Sequence, residues 1–231
     1  GVSSIELTAE SRRSVKPEPA EDGPFGDFFR RVGQTARNTQ RPRDFEQQST
    51  GSGFILWADG YIFTNANGVD EASGVSVKLI DKREFKARVI GTDKRTDLAL
   101  IKVEGSSDFP YAKLADGKPR VGDWVLAVGN PFGLGGTVTA GIVSASGRDI
   151  GNGPYDDFIQ IDAPINKGNS GGPAFNMQGE VVGVNTAIYS TSGGSVGIAF
   201  SIPAPTVKSV IAQLKDKGSV SRGWIGVQIQ P

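Results

Sequence analysis

The sequence predicts an all-β domain, a sandwich or barrel, with a single helix packed on it towards the C-terminal end. Three observations carry this expectation. From Gly51 onward, short runs of β-branched and aromatic residues recur at intervals of roughly 8–12 residues, separated by Gly, Asp and Asn, as in sheets joined by tight turns. Helical spacing is convincing in one stretch, 203–217, where Val207, Val210, Ile211 and Leu214 fall on one face and Gly218 supplies a stop. The chain of 231 residues is 37% apolar and 22% charged. That is enough apolar material for one large β domain or two small barrels, and it excludes disorder throughout.

Taken in order, residues 2–7 read as one short strand. Residues 8–50 are rich in Arg, Glu, Gln and Pro without periodicity and read as a long mobile loop. Within them Phe25, Phe28 and Phe29 form an aromatic patch in polar surroundings. It is either a short helix pinned to its own domain or a docking segment for another subunit or a neighbouring active site. Strands are expected at 53–57, 61–65, 74–80, 84–91, 98–103, 123–128, 137–145, 157–161, 173–176, 180–188 and 196–201. The main domain is therefore expected at 51–218. Residues 219–231 read as a linker and the start of a second domain, because a new strand-like run begins at Arg222.

Composition narrows the chemistry. Lys+Arg and Asp+Glu both total 25, so net charge gives no reason to expect nucleic acid or an acidic membrane as partner. No apolar run approaches the ~18 residues that cross a bilayer, and no basic-then-apolar leader pattern opens the chain. A leader or anchor removed ahead of Gly1 fits that opening. The absence of cysteine excludes disulfides, thiolate metal sites and cysteine nucleophiles. The absence of histidine excludes any His-based triad or His-ligated metal, and no cofactor is expected.

Gly168-Asn169-Ser170-Gly171-Gly172-Pro173 is the most informative segment. Glycines on both sides of one serine let the backbone turn N–H groups towards a common point, which is how an oxyanion hole is built. The bare pentapeptide also suits an ordinary glycine-rich turn, or the nucleophile elbow of α/β-hydrolases. The elbow needs a helix after the serine, then an acid and a histidine. Here a short strand, a turn and another strand follow instead.

Five segments together carry a resemblance: Thr64-Asn-Ala-Asn-Gly-Val-Asp70, Thr96-Asp-Leu-Ala-Leu-Ile-Lys102, Gly129-Asn-Pro-Phe-Gly133, Ile159-Gln-Ile-Asp-Ala163 and Gly168-Asn-Ser-Gly-Gly172. In order and spacing they resemble the successive motifs of the HtrA family of serine proteases, over about residues 51–205. The resemblance implies a chymotrypsin/trypsin-like double six-stranded antiparallel β-barrel with a C-terminal helix, an active site between the barrels, and a PDZ domain beginning at the chain's end. It further implies a periplasmic or otherwise extracytoplasmic setting, unfolded or misfolded polypeptides as substrates, and a homotrimer or a multiple of one.

Residue by residue, Ser170 matches the nucleophile. The Gly168 and Ser170 N–H groups, with Asn169 between them, match the oxyanion hole. Asp97 matches the carboxylate that orients the base, and its place before Leu98-Ala99-Leu100-Ile101 suits a buried role. Asn67 stands where the family has histidine, and Gly68 replaces the usual β-branched neighbour. An asparagine side chain cannot accept a proton near neutral pH, so Ser170 lacks a general base. Lys167, Asp162 and Asp70 read as ordinary surface charges rather than replacements. Ile165, Ile188 and Ile198 match the lining of the primary specificity pocket, implying small or medium aliphatic side chains, although plain barrel core calls for the same residues.

Three functional readings follow: an inactivated member of a protein-quality-control endopeptidase family, a natural pseudoprotease that holds unfolded chains, and an unrelated β-barrel binding module with a coincidental turn. The joint match of five motifs disfavours the third. The intact Asp97, Ser170 and glycine framework favours the first over the second.

Overall fold

The computed structural model describes residues 4–13, 45–70, 72–105, 108–151 and 155–223. Alternation decides the first barrel. Strand β4 (Gly74–Leu79) buries every second side chain, Val75, Val77 and Leu79, as a pleated strand with one face on a core requires. Ile5 and Leu7 of β1 (Ser4–Arg13), Ile55 of β2 (Phe45–Trp57), Ile62 of β3 (Tyr61–Thr64) and Ile101 of β6 (Leu98–Val103) join the same core. With β5 (Glu84–Asp93) these strands close into an antiparallel barrel in the order β1-β2-β3-β6-β5-β4. Leu7 faces Val77 where β1 and β4 complete the ring.

The second barrel runs β11 (Pro173–Phe175), β8 (Trp124–Gly129), β9 (Thr137–Arg148), β10 (Phe158–Ile161), β13 (Ala199–Pro203) and β12 (Glu180–Ile188), and the pairing of β11 with β12 closes it. Val125, Val143, Ile159, Ile161 and Val182 fill it. The two-residue strand β7 (Lys113–Leu114), which the sequence pattern did not indicate, adds to β12 in parallel.

Helix α1 (Ala204–Lys217) locks the barrels together. Pro205 lies in its first turn, where no intrahelical N–H bond is lost. Gly218 ends it in the left-handed conformation at φ 70°, donating its N–H to the Leu214 carbonyl at 2.9 Å. The apolar face of Val207, Val210, Ile211 and Leu214 packs in one cluster with Phe54, Phe63, Leu98 and Leu100 of the first barrel and Val184 and Ile202 of the second. Each such buried side chain is worth about 1.5–3 kcal/mol. The helical spacing therefore marked the element that joins the barrels.

Two expectations are corrected. Residues 8–13 and 45–50 are not loop but the outer part of a β1–β2 ladder, running from Thr8 opposite Thr50 to Arg13 opposite Phe45. Beyond Glu10, β1 leaves β4 and pairs with β2 alone. Glu10-Ser11-Arg12-Arg13 and Glu46-Gln47-Gln48-Ser49-Thr50 contain no apolar residue, so no alternation advertises the ladder in sequence. Strand β13 begins at Ala199 rather than at 196 and continues to Pro203. Phe25, Phe28 and Phe29, and the strand-like run from 224 to 231, lie outside the described residues. Residues 219–223 form neither helix nor strand.

Candidate active site

Strand register brings two of the expected residues together. Thr64 at the end of β3 pairs with Ala99 of β6, so the chain leaving β3 passes the residue that enters β6. That exit is a single 3-10 turn, Ala66–Gly68, preceded by extended Asn65. Asp97 takes a left-handed φ of 54°, a conformation that aspartate tolerates better than most residues.

Asp97 is the centre of the polar contacts. Its Oδ1 accepts the Asn67 backbone N–H at 2.9 Å, and its Oδ2 accepts the Thr186 hydroxyl and the Asn65 side-chain N–H, each at 2.9 Å. Burial pushes its carboxyl above the ordinary aspartate range, while the Asn67 N–H and the Thr186 hydroxyl pull in the opposite direction. Thr186 lies on β12 of the second barrel, and its carbonyl accepts the Ser170 hydroxyl at 3.3 Å. One threonine thus touches both the carboxylate and the serine. The Asn67 side chain is exposed beside them. A cavity of about 270 Å3 opens here between Asn67, Asp70, Lys94, Arg95, Asp97 and Thr186.

The serine loop depends on its glycines. Gly168 and Gly171 adopt φ of 99° and 85°, and a Cβ at either would collide with backbone oxygen, that of Asn130 and of Ser52 respectively. Within the loop the N–H of Asn169 donates to Asn166 O at 3.1 Å and that of Gly171 to Asn185 O at 2.8 Å. Among the described residues, the N–H groups of Gly168 and Ser170 meet no protein acceptor. Two uncommitted donors therefore flank Asn169, one of them on the serine itself.

The other candidates divide. Lys167 is exposed. Asp162 accepts the Ile142 N–H at 2.7 Å, and Asp70 pairs with Lys94 at 2.6 Å. Ile165 is buried in the second barrel's core with Ile188 packed against it. Ile198 is half-buried, its carbonyl taking the Tyr189 N–H at 3.0 Å. Among the described residues no group of three or more carboxylates could hold a metal, and no helix is long and apolar enough to cross a membrane. Asn65, Thr186 and Ser52 touch the site without having been singled out from sequence. Asn65 lies inside a recognised motif, whereas Thr186 and Ser52 sit on strands whose approach is a tertiary matter.

Two antiparallel barrels joined at a serine loop and an acidic turn define a trypsin-like peptidase, and the family model of the trypsin-like peptidase domain matches residues 51–184. The chain is 58% identical over 208 residues to a probable periplasmic serine endoprotease, DegP-like, of Bartonella henselae, and 57% identical over 222 residues to its namesake in Brucella suis. These matches cover 90% of this chain, which spans 41% and 43% of those two proteins' lengths. Among solved structures it superposes on the HtrA-type protease AlgW with decapeptide at a TM-score of 0.78 and 40% identity, covering 99% of this chain and 69% of that one. A serine endoprotease from Yersinia pestis gives a TM-score of 0.72 at 32% identity, over 98% of this chain and 68% of that one. The chain belongs to the HtrA family of trypsin-like serine proteases.

Proposed function

We propose that this chain is the endopeptidase domain of a protein-quality-control protease that degrades unfolded or misfolded polypeptides, and that Asn67 in the base position leaves it inactive or severely impaired. The observation that carries the reading is the double contact of Thr186, hydroxyl to Asp97 and carbonyl to Ser170. It supports reading Asp97 as the orienting carboxylate and Ser170 as the nucleophile, with position 67 as the base position in the chain order base, orienter, nucleophile. Ser170 Oγ is the attacking atom, and the Gly168 and Ser170 N–H groups receive the tetrahedral oxyanion. Asn67 offers no proton acceptor, so the hydroxyl stays neutral. Ile165, Ile188 and Ile198 line an aliphatic specificity pocket. The relatives' names place those proteins in the periplasm, and we assign this chain the same extracytoplasmic setting.

Unfolded casein tests the reading. The chain as it stands cleaves it negligibly, since loss of the triad histidine costs on the order of a millionfold in turnover, and Ser170→Ala changes nothing further. A Ser170-dependent rate near that of ordinary proteases would defeat the claim of impairment.

A further inference from the structure

We propose that Ser52, on β2 of the first barrel, is a positioning residue for the oxyanion cradle of the second. This rests on the functional reading above and names the group that holds its electrostatic part in shape. Ser52 is fully buried. Its hydroxyl donates to Gly168 O at 2.7 Å and accepts the Asn130 N–H at 2.8 Å, while its own N–H donates to Ser170 O at 2.9 Å.

The consequence follows from peptide planarity, which makes C=O and the next N–H point opposite ways. Across residues 167–170 every carbonyl is held. Lys167 O accepts from Phe132 N at 2.8 Å, Gly168 O from Ser52 Oγ, Asn169 O from Gly172 N at 3.0 Å, and Ser170 O from Ser52 N. The N–H groups of Asn169 and Gly171 are also held, by Asn166 and Asn185. The peptide units 168–169 and 170–171 are thus fixed at both ends, and Ser52 supplies one end of each. The two units between and before them present the N–H groups of Ser170 and Gly168, which stay uncommitted among the described residues. Ser52 also accepts the Asn130 N–H, two residues before the Phe132 N–H that holds Lys167 O, so it touches the loop and the segment that braces it. Nothing in the second barrel duplicates its two contacts among the described hydrogen bonds. Electrostatic stabilisation depends on such donors being aimed before reaction, because reorientation during it has a cost.

The test uses Ser52→Ala in this chain and in the repaired Asn67→His, Gly68→Val background, with Ser201→Ala as a control that removes another buried hydroxyl, one bonded to Asn185 Oδ1 at 2.9 Å. In the repaired background Ser52→Ala is expected to lower kcat on an aliphatic-P1 peptide at least tenfold, part of the ~100- to 1,000-fold that loss of one whole oxyanion donor costs, with KM within about twofold. Ser52→Cys, which keeps the size and a weak donor, recovers part of the loss, and Ser201→Ala leaves kcat in place. In the present chain the amide resonances of Gly168 and Ser170 shift with Ser52→Ala and stay put with Ser201→Ala. Unmoved resonances, or equal losses of kcat in Ser52→Ala and Ser201→Ala, overturn the proposal. An inert repaired enzyme defeats the functional reading instead, and the amide resonances still decide the role of Ser52.

Discussion

Arg222, five residues beyond the end of α1, reaches back to Asp93 at the end of β5 and pairs with it through both terminal guanidinium nitrogens, one contact measuring 2.8 Å from Nη1 to Oδ1. The Thr96 hydroxyl donates to the same carboxylate at 2.5 Å, and Thr96 precedes Asp97. The segment following the helix is in this way fastened to the turn that carries the candidate orienter. The Arg222 guanidinium also lies over the Tyr155 ring, 4.5 Å from its centroid.

Removing that guanidinium strands a buried carboxylate. Burial alone would push Asp93 upward, but the bonds from Arg222 and Thr96 prevail and hold it below the ordinary aspartate range. A depressed value means the pair's stability is present above the unfolded-state aspartate value and is lost as pH falls through the folded one. Arg222→Met is therefore expected to cost about 1–3 kcal/mol at pH 7, with the deficit shrinking on acidification below pH ~4. Urea denaturation of both proteins across that range checks it, and a pH-independent deficit would contradict the assignment.

Asp97 has the opposite sign. Its carboxyl is raised, chiefly by burial, so its contribution favours folding at pH below the unfolded value and is lost as pH rises through the folded one. Asp97→Asn should compare better with the parent at pH 7 than at pH 4. Thermal midpoints at the two pH values decide this, and a variant whose relative stability improves on acidification would refute it.

What was legible in the sequence follows from which interactions are local. Val75, Val77 and Leu79 reveal a strand because a pleat buries alternate residues, and Val207 to Leu214 reveal the helix for the corresponding reason. The outer ladder, with Glu10 opposite Gln48 and Arg12 opposite Glu46, has no apolar alternation in its sequence and left no such trace. In the site, Gly168 and Gly171 stand out because the backbone there takes positive φ that only glycine adopts easily. Ser52 is 116 residues from Gly168 and Thr186 is 89 from Asp97. Such pairings come from the docking of two barrels, and no spacing rule encodes them. Ile165 and Ile188 are ambiguous on both levels, since a pocket and a core reward the same aliphatic surface.

Assembly is a separate expectation. The family resemblance implies a homotrimer or a multiple of it, with Phe25, Phe28 and Phe29 and the first strand at the contact. Aromatics in a segment of polar sequence gain burial when a partner covers them. Light scattering at micromolar concentration should give three times the 24.3 kDa chain mass or a multiple of that, and replacing the three phenylalanines by serine should lower it. A monomer at that concentration would remove the expectation.

The repair of position 67 probes the whole reading. The Asn67 N–H is already anchored to Asp97 Oδ1 at 2.9 Å, so an imidazole introduced there starts from a fixed backbone beside its orienter. Gly68 does not use the left-handed conformation, and a Cβ placed on it meets nothing within 4 Å. A side chain can therefore branch from this position without a Cβ clash, and any residue with a Cβ narrows the freedom of the turn in the unfolded chain. Asn67→His should create Ser170-dependent cleavage of unfolded casein and of an aliphatic-P1 peptide. Asn67→His with Gly68→Val should exceed it, because a stiffer turn keeps the imidazole between Asp97 and Ser170 for more of the time. The rate should fall on acidification as the imidazole protonates, with a midpoint near the usual histidine range of about 6.5. Ser170→Ala in the repaired background is the control. If the folded double variant stays inert, the missing base is not the only lesion, and a pseudoprotease that holds unfolded polypeptides without cutting them becomes the better account.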